Sequence, residues 1–257
     1  MAIKIGLDAG HGGSSTGAFS IDTVIDGLYE KDYCLELVKL IDKYLRFNNF
    51  ETYLTRTEDV NPGNVSQRAK KCSIAMCDFA LSVHFNGFDN ESANGTECYV
   101  PYEETAANIE VGFKRELTKY FKERKPFARS CGPHSKNEIL DKKLDDKKAT
   151  FEATSSKKDY FGFIRDCWRE GISADLIEIC FLTNRKDFET YKENKDEIAQ
   201  GIVKAIVEGF GKTYKKEEIV LPEKPVELPK EPEPVVVKKP KRVGKGRLNK
   251  NRVDLKF

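Results

Sequence analysis

The stretch that most constrains this chain is Lys4 to Gly13, KIGLDAGHGG, where an apolar strand pattern runs directly into a histidine set between glycines. Twofold alternation puts Ile3, Ile5 and Leu7 on one face of a β-strand, and the glycines that follow let the backbone turn sharply. His11 is thereby delivered to the end of the strand. In a parallel sheet, that end is where α/β proteins keep their ligands. The same grammar returns twice. FALSVHFNG, from Phe79 to Gly87, ends an apolar run on His84, and ADLIEICFLTN, from Ala174 to Asn184, embeds Glu178 in one. The loop GHGGSSTGAFS has the glycines of a phosphate cradle. It lacks both the Gly-Lys-Ser/Thr ending of a P-loop and the spacing of a dinucleotide fingerprint, which argues against nucleotide binding.

Taken in order, the chain alternates strands and helices. After Asp26 an amphipathic helix is marked by Cys34, Leu37, Val38, Ile41, Tyr44 and Leu45, with Glu30 in its first turn. Read alone, Glu30 is the acidic residue that favours a helix N-terminus. A short strand ETYLTR ends at Arg56, a second helix carries Arg68, and the strand ending at His84 follows. Beyond the turn signal from Asn90 to Gly95 come a strand, GTECYVPY, and a helix over about 104–122 with Ile109, Phe113, Leu117 and Phe121 on one face. This rhythm predicts βαβ units and a largely parallel sheet. Residues 125–159, polar and rich in Lys, Asp and Ser, read as an exposed insertion with one short helix. Strand pattern resumes at Tyr160 with YFGFIRD, and the Glu178 strand follows. A final helix marked by Ile198, Ile202, Ala205, Ile206 and Phe210 closes a domain over 1–212.

Six of the ten prolines lie at or after Pro222, alternating with Glu, Lys and Val, so 213–240 reads as an extended, semi-rigid linker. Residues 241–257 form a basic tail expected to be disordered. The formal charge of +2 hides this asymmetry: Val237 to Phe257 carries nine Lys or Arg against one Asp, leaving a net acidic body. The tail therefore points to a polyanion. Nucleic acid is the rival partner, but stacking residues are nearly absent there, and no specific nucleic-acid recognition is expected. Seven cysteines with no paired spacing fit a chain folded where thiols stay reduced. The N-terminus shows no signal-peptide pattern, and no apolar run is long enough to span a membrane, so the expectation is cytoplasmic synthesis without a membrane span. A monomer is expected.

Two of the three histidines, His11 and His84, sit at strand ends, whereas His134 falls in the polar insertion and reads as a solvated surface residue. A lone histidine at a strand end is commonly a hydrogen-bonded structural residue, but two in that placement suggest a site. Catalytic zinc takes three protein ligands, typically imidazole and carboxylate, and leaves a fourth position for water. His11, Glu30 and His84 would supply such a set, though no spacing rule selects them. Glu178 is costly to bury among Leu176, Ile177, Ile179 and Cys180 unless it faces a charge or a wet cleft. A salt-bridged or edge-strand glutamate is the bland alternative. Beside a metal it becomes a general base and acid.

LDAGHGG with Glu30 on the next helix, SVHFNG, and LIEICFLTN together resemble the zinc-dependent N-acetylmuramoyl-L-alanine amidases of the amidase-3 type, found among bacterial autolysins, sporulation amidases and phage endolysins. The resemblance covers roughly 1–212. It implies an α/β fold: a single three-layer domain with a twisted, mostly parallel six-stranded sheet flanked by helices. It further implies that His11, Glu30 and His84 bind one Zn2+ and that Glu178 is the catalytic glutamate. The implied reaction cuts the amide between N-acetylmuramic acid and L-alanine of peptidoglycan, and the basic tail would then attach to an anionic wall polymer. A phage endolysin is the expected setting, acting on the wall after release or lysis. A sporulation or autolytic amidase, a zinc peptidase or deacetylase, and a non-catalytic wall-binding protein are the rivals. Asp32 stands where the family usually has Asn, and Cys180 where Gly commonly follows Glu-Ile.

Overall fold

Strand β1 (Lys4–Ala9) buries Ile5, Leu7 and Ala9 completely on one face of the sheet, while Gly6 and Asp8 alternate onto the other. The structure, a computed structural model, describes residues 2–20, 27–101, 108–130 and 161–217. All of them fall in one compact unit, Met1–Ile219. The remaining elements are α1 (Glu30–Phe47), β2 (Glu51–Leu54), α2 (Val65–Ile74), β3 (Phe79–Asn86), β4 (Thr96–Val100), α3 (Asn108–Leu117), β5 (Glu123–Ser130), α4 (Gly162–Arg169), β6 (Ser173–Phe181) and α5 (Arg185–Gly209). The six strands form one sheet in the order β2-β1-β3-β6-β4-β5. β2, β1, β3 and β6 run parallel, and β4 and β5 form a parallel pair that meets β6 antiparallel.

Two layers of helix cover the sheet unequally. The main core joins Ile5, Leu7, Leu81, Val83, Ile177 and Ile179 of the strands to the apolar faces of α1, α3 and α5. On the opposite face a smaller cluster packs Ala80 and Ala174 under Ala69 and Cys72 of α2 and Phe163 and Cys167 of α4. Small residues let α2 lie close: a β-carbon at Gly6 would stand 2.9 Å from Cys72 Sγ and 3.2 Å from Cys77 Sγ. The three-layer α/β expectation is thus met. Six of the seven cysteines are buried free thiols, and Cys131 lies outside the described residues. No helix among the described residues is long and apolar enough to cross a membrane.

Two sequence expectations need correction. YFGFIRD is no strand, because Gly162–Arg169 is helical and buries Phe163, Ile164 and Cys167 against the sheet at helical spacing. The insertion expected over 125–159 begins instead within β5, which pairs with β4 through residue 130. The remainder of that segment, with His134, lies outside the described residues, as do 218–240 of the expected linker and the basic tail 241–257.

The helices α3 and α5 of the larger layer approach closely where they cross. A β-carbon at Gly112 would lie 2.6 Å from Ala205 Cβ and 2.8 Å from its Cα. Gly112→Val is therefore expected to destabilise the domain by about 1–3 kcal/mol through overpacking. That corresponds to a loss of roughly 2–4 °C in Tm per kcal/mol for a domain of this size. An unchanged melting curve would contradict this close approach.

Candidate metal centre

Three elements converge at the C-terminal end of the parallel strands. β1 ends in Gly10 and His11, β3 carries His84 near its end, and α1 begins at Glu30. The helix starts there because the loop before it supplies acceptors for its first N–H groups: Glu30 N donates to Ala18 O at 2.8 Å and Lys31 N to Thr16 O at 3.1 Å. Tyr29 N donates to Asp32 Oδ2 at 2.9 Å. Asp32, the departure from the family pattern, thus acts as an N-terminal capping acceptor of α1.

The carboxylate of Glu30 is buried and fully engaged. Oε1 lies 2.9 Å from His84 Nδ1 and accepts from Phe85 N at 3.1 Å, whereas Oε2 lies 3.2 Å from His11 Nε2 and accepts from Ala18 N at 2.8 Å. Burial alone would raise its pKa. The two imidazoles reverse that and hold it well below the usual carboxylate range. Burial pulls the His84 imidazole down, but Glu30 outweighs it and lifts the His84 pKa above its ordinary value. His11 Nδ1 is 3.0 Å from Ser15 Oγ, which fixes the ring from its other side. The two imidazole rings stand edge to face with centroids 5.0 Å apart.

One donor atom from each of His11, Glu30 and His84 can be chosen so that all three lie within 4.8 Å of one another, and among the described residues this is the group able to hold a metal ion. Two imidazoles and a carboxylate are the donor set that suits zinc. The backbone makes room for it. A β-carbon at Gly10 would stand 2.5 Å from the His84 ring, and one at Gly17 would stand 2.4 Å from Glu30 Oε2 and 2.7 Å from His11 Cδ2. Gly10 and Gly17 therefore lie directly against the donor side chains.

Glu178 is brought beside this cluster by strand register. It pairs with His84 across β3 and β6 and with Glu97 across β6 and β4, so the three side chains share one sheet face. A bulge in β6 follows immediately, since His84 faces Glu178 while Asn86 faces Phe181. Its Oε2 is buried without a hydrogen-bond partner. Desolvation, with the neighbouring carboxylates, pushes its pKa up to about 8 in the absence of any metal, against the pull of His84. The unpartnered oxygen and the adjacent three-donor cluster fit a bound cation and its water.

Several residues of the site were not singled out from the sequence. Glu97 is buried, accepts from Asn86 Nδ2 at 2.9 Å and lies 3.3 Å from Arg124 Nε. A carboxylate inside the short strand TECYV is the same signal that marked Glu178. Asp8 is buried under the turn and accepts from Thr55 Oγ1 at 2.6 Å and Ser82 Oγ at 2.8 Å, with Arg68 at 3.5 Å. In the LTN segment, Thr183 Oγ1 accepts from Phe88 N, and Asn184 caps α5 while donating to Glu91 O, which ties the loop after His84 to β6.

Comparison with known proteins points the same way. A family profile described as N-acetylmuramoyl-L-alanine amidase matches residues 5–208. The N-acetylmuramoyl-L-alanine amidase LytC of Bacillus subtilis (strain 168) is 26% identical over 198 residues, 76% of this chain and 33% of that protein. The endolysin of Bacillus phage SPP1 is 34% identical over 119 residues, 46% of this chain and 40% of that one. The chain thus spans well under half the length of these two relatives. The solved catalytic domain of CwlV, an amidase from Bacillus (Paenibacillus) polymyxa var. colistinus, shares the fold with a TM-score of 0.62 at 21% identity, covering 82% of this chain and 99% of that one. With the profile spanning most of its length, the chain belongs to the N-acetylmuramoyl-L-alanine amidase family.

Proposed function

We propose that this protein hydrolyses the amide between the lactyl group of N-acetylmuramic acid and L-alanine of the peptidoglycan stem peptide, as a zinc enzyme. The observation that carries the reading is the register match that puts Glu178, with its unpartnered carboxylate oxygen, beside a His-Glu-His donor cluster. The relatives named as amidases support the choice of bond.

In this mechanism His11, Glu30 and His84 hold the ion, and Glu178 handles the proton. Bound zinc supplies a positive charge that polarises the scissile carbonyl and acidifies water. Glu178 accepts the proton of the attacking water as the new C–O bond forms, then returns it to the nitrogen as the C–N bond breaks. The products are the free lactyl carboxylate and a new amino terminus on L-alanine. Burial raises the Glu178 pKa in the metal-free protein, and a cation beside it would pull the other way. Phage lysis is the setting we infer, with the protein held in the cytoplasm until a membrane pore releases it; the 34% identity to an endolysin supports it. A bacterial sporulation or autolytic amidase would use the same chemistry. The basic segment 241–257 would then bind an anionic wall polymer.

Digestion of purified peptidoglycan is expected to yield new L-alanine amino termini without new reducing sugars, and a chelator is expected to stop it. New reducing ends, or cuts inside the stem peptide, would refute the proposed bond. Glu178→Gln is expected to lower turnover by on the order of 10²–10⁴ while keeping zinc. His84→Ala is expected to lose both. A Glu178→Gln protein that retains wild-type turnover would remove Glu178 from the mechanism.

The metal-free protein offers a separate check. Because Glu178 has a raised pKa, the folded state binds the extra proton between the unfolded value near 4.5 and about 8, so stability falls as pH rises through that window. Urea midpoints of the metal-free wild type are expected to drop between pH 5 and pH 9. The drop should be smaller in Glu178→Gln. The raised His84 pKa acts in the same direction and accounts for a remaining part. Equal drops in the two proteins would show that Glu178 is not held in a desolvating site.

A further inference from the structure

His11 adopts φ +60°, a left-handed backbone conformation that a β-carbon disfavours, so something must hold the turn that presents it. The carbonyls of three successive residues answer that question. Arg56 Nε donates to Ala9 O at 3.2 Å, Arg56 Nη2 to Gly10 O at 2.9 Å, and Arg68 Nη2 to His11 O at 3.3 Å. The guanidinium of Arg56 reaches further. Nη2 also donates to Lys31 O at 2.6 Å, in the first turn of α1 beside Glu30, and Nη1 to Glu58 O at 3.3 Å.

The burial of this group is unusual for its charge. Arg56 is only 3% exposed, and no carboxylate lies within ion-pair distance of it among the described residues. Arg68, by contrast, leans on Asp8. Burying a cation with no carboxylate in contact is expensive, and the carbonyl acceptors offset it here, with Asp8 and Asp59 acting at longer range. The loop is shaped around the side chain: a β-carbon at Gly12, where φ is +128°, would stand 3.0 Å from both Cδ and Nε of Arg56. One planar fork therefore spans the two segments that deliver His11 and Glu30.

We propose that Arg56 is a positioning residue of the metal centre, whose guanidinium, bonded at once to the carbonyls of Ala9, Gly10 and Lys31, holds His11 and Glu30 at the separation that a zinc ion requires. This rests on the zinc reading of the His11, Glu30 and His84 cluster. The fork geometry is the essential feature. Lysine at 56 would keep the charge but present a single point of donation, and could not bridge the β1 turn and the start of α1 in the same way.

The test is zinc affinity of the full chain, measured by competition with a chromophoric chelator, for wild type, Arg56→Gln and Arg56→Lys. Ile202→Val in the core of α5, well separated in sequence from the site, serves as a reference for general destabilisation. Wild type is expected to bind one zinc, and Arg56→Gln to bind it on the order of 10- to 100-fold more weakly, as for other groups that orient metal ligands. Arg56→Lys is expected to show a loss of at least several fold, and it carries the comparison if Arg56→Gln does not fold. Ile202→Val is expected to keep wild-type affinity whatever it loses in Tm. Wild type without zinc binding would sink the metal reading itself. Wild type that binds zinc, alongside a folded Arg56 variant within twofold of it, would sink the positioning role alone.

Discussion

A single buried carboxylate, that of Glu30, holds the site together. It would be unstable in that place unpaired, since moving an isolated carboxylate out of water costs many kcal/mol. Here each oxygen meets one imidazole and one backbone N–H, drawn from the β1 loop, the loop before α1 and the end of β3. Four partners from separate stretches of chain thus share one charge. The positive end of α1 adds to their effect, because Glu30 is its first residue. The two imidazoles hold its pKa well below the usual carboxylate range, so a charged oxygen donor stands at the end of the strands.

This arrangement explains why the loop after β1 cannot be an ordinary turn. Two close approaches, the His84 ring over Gly10 and the Glu30 carboxylate against Gly17, leave no volume for a β-carbon at either position. The glycines first suggest conformational freedom. Their larger role is steric: they let a ring and a carboxylate reach the same point from opposite sides of the strand end. Lys31 and Asp59 close the outer edge of the same loop, with Lys31 Nζ donating to Gly13 O and Asp59 accepting from Gly13 N.

Much of this was legible in the sequence because strand ends announce themselves. An apolar run broken by His-Gly or His-Phe-Asn-Gly marks both position and direction, and the helix after Asp26 has an unbroken apolar stripe. The largely parallel sheet and the placement of His11 and His84 at strand ends follow that pattern, whereas the six strands and the joining of Glu30 to the two histidines were implied by the family resemblance. Two segments misled for physical reasons. In YFGFIRD, aromatics and a glycine mimic strand composition, yet the buried residues Phe163, Ile164 and Cys167 repeat at helical spacing that becomes visible only when the window extends past Asp166. β5 looked like an insertion because it is an edge strand. Its buried apolar residue Phe127 is preceded by a proline at 126, which an edge strand tolerates. The arginines that brace the loop were invisible for a different reason. Arg56 bonds to backbone carbonyls, as Arg68 does besides Asp8, and carbonyls carry no sequence signal.

The relation between Glu178 and the metal cluster depends on sheet register. His84, Glu178 and Glu97 lie side by side across three strands on the face covered by the smaller helical layer, and Arg124 extends the row through its pairing with Glu97. Apolar packing under α2 and α4 reaches Ala80 on β3, four residues short of His84, and Leu176 on β6, two residues short of Glu178, where it meets Ile164 of α4. The strand ends are thereby left to polar side chains. Because the side-chain period of a strand is two, a slip of one residue between β3 and β6 would send Glu178 into the main core and place Ile177 or Ile179 beside His84. The apolar alternation of Leu176, Ile177 and Ile179 against both helical layers forbids that slip. The packing that stabilises the sheet is therefore also what sets the Glu178 carboxylate next to His84, and the bulge that follows Glu178 absorbs the irregularity beyond them.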